Sequence, residues 1–589
     1  MEEKVQDSIL QKNDRNIPKY LLCLLGLLLV AATVIAYRPA WNAGFVWDDD
    51  AYVTENRLLT APDGLKRIWF SFDNVRSQYF PLTYTVLRIE YSLWGLNPSG
   101  YHWVNILLHA LNALLLWLLL RRLKLPGAWL AAAIFALHPV HVESVAWITE
   151  LKNVLSLFFS LLAMFAWIEF AGDRSGPRRY YVLALLLFAL ALFAKTTACT
   201  LPAAMLLVLW LKEKPIGLRR LAQVAPFAAL GVGMGLVTMW VELYKGTEGQ
   251  LFSLGLTDRV LIAGRAIWFY AGKLIWPVNL TFSYPRWEIN PADPLAYVWP
   301  AAAIVFFIVV FTARRFTGRG ISAAALFYAV TLSPLLGFIM LYTFLYTFVA
   351  DHYQYAASIG PIALAAAGIA GAFDRTRKWK LILVPLICGL LLMTLGLMTW
   401  RQAGVYADSE TLWRDTIAKN PKSWLALNNL SEIMVRKGNI DEAITFQKKI
   451  VELRPASITA RYNLGISLLR SGRIDEAIMH YEKALADVRD YAFNWKKQGD
   501  EFLREGQVAE AAANYQNILE LSGVIASARR NFCNELPQNK KSALCGEDRE
   551  MNSVIADTHR NLGNILIKEG RVQEAGKHFR NAGDIENRE

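Results

Sequence analysis

The chain of 589 residues is 54% apolar and 12% aromatic but only 19% charged, with a mean hydropathy of +0.26; soluble domains carry about 25% charged residues, so an ordinary water-soluble enzyme is excluded. Its formal charge of +12 sits almost wholly in residues 1–400, which hold 34 basic and 23 acidic side chains against 28 and 27 in residues 401–589. Basicity that travels with the apolar part belongs to loops flanking membrane helices and speaks against nucleic acid as a partner.

Residues 1–19 are mixed in charge and are followed by no small-residue cleavage site, so the first apolar stretch reads as a signal anchor behind a cytoplasmic segment. A spanning helix needs about 20 mostly apolar residues. Eleven stretches predict crossings: 20–36, 104–120, 127–146, 153–171, 180–194, 199–211, 222–241, 298–313, 321–338, 356–372 and 381–399. Lys4, Lys12, Arg15 and Lys19 precede the first, and Arg or Lys clusters follow every even-numbered one: Arg121–Arg122, Arg174 to Arg179, Lys212 to Arg220, Arg314 to Arg319, and Arg375 to Lys380. The N-terminus is therefore predicted cytoplasmic and everything after residue 400 on the other side of the membrane. Residues 258–276 carry Asp258, Arg259, Arg265 and Lys273, and are predicted to be an interfacial or re-entrant helix.

In chain order, polar chemistry gathers at the outer ends of these stretches. The long first outer loop, 37–103, opens with Trp47-Asp48-Asp49-Asp50, a run of carboxylates that repel one another unless solvated or matched by a cation. Two amphipathic helices follow, one from Pro62-Asp63 through Leu65, Ile68 and Trp69, one from Pro81 through Val86, Leu87 and Trp94, both suited to lie on a bilayer surface. His138, His141 and Glu143 are predicted to shape a polar pocket or hold a divalent ion such as Mg or Mn, although two histidines at this spacing match no zinc-helix motif. Lys152, Lys195 and Arg286 are the candidate anion-binding cations; Asp351 and His352 precede the tenth stretch and, with Asp50, are further candidates for the pocket or a divalent ion. Carboxylates and cations at a bilayer edge suit a lipid-linked phosphate substrate, the cations meeting the phosphate and a carboxylate taking a proton.

Beyond residue 400, Gly438, Gly472 and Gly506 recur every 34 residues, as do Ala443, Ala477 and Ala511, which predicts tetratricopeptide helical hairpins. A further unit carries Gly563, Gly570 and Ala575, and Trp413 to Pro421 reads as part of a leading one. The stretch 526–555 is either a degraded repeat or an insert, and its Cys533 and Cys545 can pair in an oxidising compartment; Cys23, Cys199 and Cys388 lie within spans.

The segments FVWDDDAYVTEN, YFPLTYTVLRIEYSLWGLNPSGYHWVNILLHALNALLL, HPVHVESVAWITELKNVLSL and VADHYQYAASIGP, ahead of a repeat array, resemble in order the transmembrane and tetratricopeptide-repeat O-mannosyltransferase family and its bacterial relatives. The resemblance implies an all-α fold: a polytopic type C glycosyltransferase domain over residues 20–400, then an extracytoplasmic repeat solenoid over 401–589. It also implies a location in a bacterial inner membrane and an inverting enzyme. That enzyme transfers a sugar, mannose or another hexose, from a polyprenyl-phosphate donor to a hydroxyl of a protein or peptide acceptor held by the repeats. Asp48 or Asp49 is the implied base, Asp50 a supporting charge, and Lys195, Arg286 and Lys152 the phosphate contacts. Two positions depart from relatives: Thr196 follows Lys195 where Glu is frequent, and His352 stands in place of Arg. The competing readings are modification of a lipid-linked glycan or lipid on the same scaffold, and a membrane-anchored repeat scaffold without enzymatic activity. A transporter is disfavoured because the spans are nearly free of charge.

Overall fold

A computed structural model describes residues 18–72, 79–172, 176–245, 254–339, 342–374, 380–545 and 548–586. Of the basic residues used for orientation, Lys4, Lys12, Arg15, Arg174, Arg375, Arg377 and Lys378 lie outside these ranges. The described residues are helices, short turns and loops with no strand. Two compact units divide between Ser423 and Trp424.

In the first unit every predicted apolar stretch falls on helical structure: α1 (Lys19–Ala36), α2 (Gly64–Phe70), α3 (Pro81–Trp94), α4 (Pro98–Arg122), α5 (Ala128–Leu137), α6 (Val142–Ala146), α7 (Leu151–Ala171), α8 (Arg178–Ala194), α9 (Leu201–Leu211), α10 (Leu218–Lys245), α11 (Leu256–Ile275), α12 (Val298–Thr317), α13 (Gly320–Leu332), α14 (Ile359–Asp374), α15 (Lys380–Val405) and α16 (Ser409–Lys419). Helices α2, α3, α11 and α16 stand apart from those stretches. Among the described residues six helical segments are long and apolar enough to cross a membrane, and a seventh arises if Ala128–Leu137 and Pro139–Ala146, bent by 55°, count as one span. Eleven full-length crossings are therefore not reached by this measure. The shorter pieces end where a polar or proline-bearing turn interrupts the helix: His138-Pro139 before α6, Lys195 between α8 and α9, and Ser333-Pro334 after α13.

Helix α12 exposes Ile304, Val305, Ile308 and Val309 along one side, a stripe that only hydrocarbon would cover. The outer-loop helices behave likewise: α2 and α3 bury Ile68 and Leu87 while Leu65, Phe70, Ile89 and Leu93 remain exposed. Helix α11 buries Ile262, Ala266 and Tyr270 against Phe344, Phe348 and Val349 of the loop after α13. Helix α16 is capped by Asp408, whose carboxylate accepts from Thr411 N at 2.8 Å. It belongs to the first unit: Trp413 packs edge-on against Trp47 and Phe282, and Lys419 Nζ donates to Leu280 O at 2.7 Å.

The second unit is a series of helical hairpins: α17 (Trp424–Arg436) with α18 (Ile440–Leu453), α19 (Ile458–Arg470) with the first half of α20 (Ile474–Arg504), the second half of α20 with α21 (Val508–Glu535), then α22 (Gln538–Leu544), α23 (Arg549–Lys568) and α24 (Val572–Glu586). Gly438, Gly472, Gly506 and Gly570 each adopt φ +79° at the hairpin turn. There the next residue's N–H closes back on the helix, as Asn439 N does on Met434 O at 2.9 Å and Arg473 N on Leu468 O at 2.9 Å; this left-handed stop favours glycine and is the physical content of the 34-residue period. Within the stretch 526–555, residues 526–545 interrupt the repeat pattern, whereas Arg549 onward is already the first helix of the last hairpin. Helix α21 continues without a turn, Phe532 stacks on Tyr481 at 4.0 Å, α22 hooks back, and a disulfide joins Cys533 to Cys545.

Candidate active site

The acidic run opens on an unusual turn. Trp47 has φ 53°, a left-handed conformation costly for a bulky residue, and its ring is wedged against Phe282, Tyr346 and Trp413. The twist sends the next two carboxylates to different partners. Asp49 is completely buried, accepting Val46 N at 2.8 Å and Thr149 N at 3.0 Å. It ties the outer loop to the segment preceding α7. Asp48 accepts from Thr149 Oγ1 at 2.9 Å and faces the cluster beyond. Burial pushes its carboxyl up to about 6, against the lowering influence of Lys152. Asp50 departs from both: it is exposed and pairs locally with Thr54.

At the centre stands Glu150, buried in the turn before α7. Its carboxylate is 2.8 Å from Lys152 Nζ and 3.3 Å from Lys195 Nζ, and it accepts from the Asn153 amide. Burial lowers the Lys195 ammonium to about 8, with Glu150 pulling the other way. Lys152 Nζ also lies over the rings of Tyr52 and Trp147, at 5.2 and 5.4 Å. On the far side His352 bridges two carboxylates. Its Nδ1 is 3.2 Å from Glu143 Oε1 and its Nε2 3.9 Å from Glu150 Oε1, while its backbone N donates to Glu143 Oε2 at 2.9 Å. Asp351 accepts from Tyr284 OH at 2.9 Å; burial and then the Glu143 charge push it up.

Asp48, Asp49, Glu143, Lys152, Lys195, Asp351 and His352 are thus brought into one network; other candidates are not. His141 spends both ring nitrogens on packing partners, Phe135 O at 2.7 Å and Ser358 Oγ at 2.9 Å. His138 contacts Leu274 O at 3.0 Å and caps the next turn through Val140 N. The expectation that these two histidines shape the polar pocket or hold an ion is corrected: they are buried hydrogen-bonding residues that pin the break between α5 and α6. Arg286 donates to Phe344 O at 2.9 Å and covers the Phe348 ring, anchoring the 342–349 loop with no carboxylate of the network among its partners. Among the described residues no group of three or more His, Cys, Asp or Glu side chains is arranged to hold a metal ion.

Glu150, Thr149 and Asn153 are the residues that sequence reasoning missed. The signal was present in Thr149-Glu150-Leu151-Lys152-Asn153, an acid and a base two residues apart opening a long apolar run; ionisable groups at such a place are costly and hence informative.

Beside this network runs a cavity of about 220 Å³, walled by apolar side chains of α4, α7, α9, α13 and α14 such as Leu116, Met164, Met205's neighbour Ala204 and Phe327. Asn153 and His352 line it too, so the cavity reaches the side chains that touch Glu150.

Residues 80–241 match the family model described as dolichyl-phosphate-mannose-protein mannosyltransferase, and residues 424–490 match a tetratricopeptide repeat model. Among curated proteins the chain is similar to protein O-mannosyl-transferase F38B6.6 of Caenorhabditis elegans, 24% identical over 60% of this chain and 56% of that one. It is also similar to protein O-mannosyl-transferase Tmtc1 of Drosophila melanogaster, 25% identical over 70% of this chain and 59% of that one. Protein O-mannosyl-transferase TMTC4 of Homo sapiens is 24% identical over 71% of this chain and 65% of its own. The chain thus spans less than two thirds of the length of each of these relatives. A solved structure described as that of MamA aligns at 19% identity over 30% of this chain and 87% of that one, with a TM-score of 0.15 that carries no argument. With a mannosyltransferase-type match ahead of a tetratricopeptide match, and relatives that bear that name, the chain is similar in its order of parts to the transmembrane and tetratricopeptide-repeat O-mannosyl-transferases.

Proposed function

We propose that the protein is a membrane glycosyltransferase that moves a hexose, mannose by the names of its relatives, from a polyprenyl phosphate to a hydroxyl of a polypeptide acceptor. The observation that carries this reading is the pairing of Lys152 and Lys195 on one buried Glu150, beside Asp48 and next to an apolar cavity. Two ammonium groups converging on one carboxylate in a site poor in water offer charged donors to a phosphate, and the apolar walls suit a prenyl chain. An extracytoplasmic face of a bacterial inner membrane is the location this reading takes for the network, and the charge pattern of the loops and the disulfide of the repeat unit support it.

In the reaction, Asp48 is the base and Asp49 the tie that positions it. The acceptor oxygen attacks the anomeric carbon, its proton passes to the Asp48 carboxylate, and the bond from that carbon to the phosphate oxygen breaks with inversion. Lys195 and Lys152 meet the charge that develops on the departing phosphate. Glu150 holds both ammonium groups in place, and Asn153 and His352 in turn hold Glu150. General-base help of this kind is worth about 10²–10⁴ in rate.

The test is hexose transfer from a synthetic polyprenyl-phosphate mannose to a Ser/Thr-rich peptide by the purified full chain in lipid nanodiscs. Transfer that disappears with Asp48→Asn supports the reading. Transfer that is absent, or that persists unchanged in Asp48→Asn, removes it.

A further inference from the structure

The cavity beside the carboxylate network has a second end. Its wall follows the helical segment Thr196–Leu211 throughout, from Thr197 and Thr200 to Val208 and Leu211. That segment rises roughly 25 Å, close to the about 30 Å of a hydrocarbon core. A cavity that begins at Asn153 and His352 therefore finishes near the opposite surface of the membrane, where Leu123, Leu125, Leu211 and Gly320 bound it. A Cβ placed on Gly320 would meet nothing within 4 Å, so the wall is open there.

Three turns meet at this mouth. Helices α4 and α9 both close in a left-handed stop, with Lys124 at φ 53° and Glu213 at φ 57°. In each the following N–H turns back on the helix, Leu125 N on Leu120 O and Lys214 N on Leu209 O, both at 3.0 Å. Lys212 Nζ donates to Leu123 O and so ties the two stops together. Arg319, from the turn between α12 and α13, donates to Trp210 O at 2.8 Å and lies 5.7 Å over the Trp210 ring. The charges do not cancel. Glu213 stands 3.7 Å from Arg319, whereas among the described residues Lys124 and Lys212 pair with no carboxylate.

Basic residues at one bilayer surface by themselves report only loop orientation. These frame an open apolar groove, which sets charged donors and hydrocarbon walls in the order of a phospholipid's phosphate and chain. We propose that the mouth binds one anionic phospholipid of the leaflet opposite the carboxylate network, with its phosphate held by Lys124, Lys212 and Arg319 and one acyl chain entering the groove past Gly320. The site is read without sugar donor and does not rest on the transfer reaction, whose prenyl chain would enter from the other end.

The probes are dioleoyl phosphatidylglycerol and dioleoyl phosphatidylcholine, which share their chains and differ in net charge. Each is titrated onto the delipidated full chain in detergent, and bound lipids are counted by native mass spectrometry. One phosphatidylglycerol, held at least tenfold more tightly than phosphatidylcholine, is expected. Lys212→Gln is expected to weaken it about fivefold, the scale of one cation near a lipid surface. Lys124→Gln, at an exposed side chain, is expected to do the same and covers the case in which Lys212→Gln does not fold. Glu213→Gln is expected to tighten binding severalfold, and Gly320→Leu, which fills the opening, to weaken both lipids. Arg178→Gln with Arg219→Gln, which removes two cations that do not line the groove, is expected to change nothing. Equal retention of the two lipids, a ladder of adducts with no tight first one, or equal loss in the Arg178 and Arg219 variant would overturn the proposal. Displacement of the lipid by millimolar glycerol phosphate would overturn it too, by marking a site for free phosphate.

Discussion

Lys195 Nζ lies 3.3 Å from Glu150 Oε2, with both side chains almost wholly buried. The two come from opposite ends of a helical hairpin, Glu150 from the turn before α7 and Lys195 from the turn after α8. Burial lowers the ammonium to about 8, and Glu150 raises it in part. A reaction that needs the protonated ammonium must therefore slow as pH rises through about 8. Glu150→Gln removes the raising influence, so the alkaline limb of kcat should move to lower pH, with turnover at neutral pH reduced on the order of tenfold, the worth of a charge-assisted contact to phosphate. A limb that stays in place would separate Lys195 from the chemistry. The profile is measured as transfer rate against pH in nanodiscs.

Asp48 sets the opposite limb. Its carboxyl titrates at about 6, raised by burial and restrained by Lys152, and only the ionised form accepts a proton. Activity should fall as pH drops through about 6, and Lys152→Met should move that limb upward because the restraining charge is gone. An acid limb indifferent to Lys152 would place the titration elsewhere.

The neighbouring carboxylates should fail in different ways. Asp48→Asn should lose transfer by about 10²–10⁴ while melting near the parent temperature, since Asn keeps the shape and the Thr149 contact. Asp49→Asn turns an amide NH₂ toward one of the two backbone N–H groups that Asp49 accepts, a mismatch of about 1–3 kcal/mol in a buried site. It should lower Tm first, with activity following. Differential scanning fluorimetry beside the transfer assay tells the two apart, and reversed phenotypes would exchange their roles.

The disulfide offers a test of the insert. It closes a loop of sequence separation 12, and in the chain-entropy picture a loop of this size is worth roughly 3 kcal/mol. Replacing both cysteines by Ser should accelerate hydrogen exchange around 526–548 by up to that amount while leaving α17 and α18 unchanged. Uniform exchange rates in the two proteins would show that packing of Phe532 alone holds the segment.

Topology is tested by reporter fusions. Fusions near residue 216, amid Lys212, Lys214, Arg219 and Arg220, should read cytoplasmic and those after residue 400 extracytoplasmic. A cytoplasmic signal from the repeat unit would place the carboxylate network on the wrong face for an exported acceptor.

What the sequence by itself determined is local. Apolar runs, the basic flanks and the 34-residue recurrence of Gly438, Gly472 and Gly506 each act within a turn or a span, because hydrocarbon burial and the left-handed stop need no distant partner. From these the all-α class and the repeat array were legible. The identity of the residues that meet was not. Asp49 reaches Thr149 across 100 residues and Glu143 reaches His352 across 209, distances over which no spacing rule operates. Hence Glu150, marked in the sequence only by Lys152 two residues on, became the centre of the network, while His138 and His141, conspicuous in it, were consumed by the carbonyls of Leu274 and Phe135. Which of Asp48 and Asp49 faces the cations was likewise decided by one left-handed residue, Trp47, whose ring is seated among side chains from three distant segments. A buried polar group takes its role from whatever satisfies it, and only the tertiary structure supplies that partner.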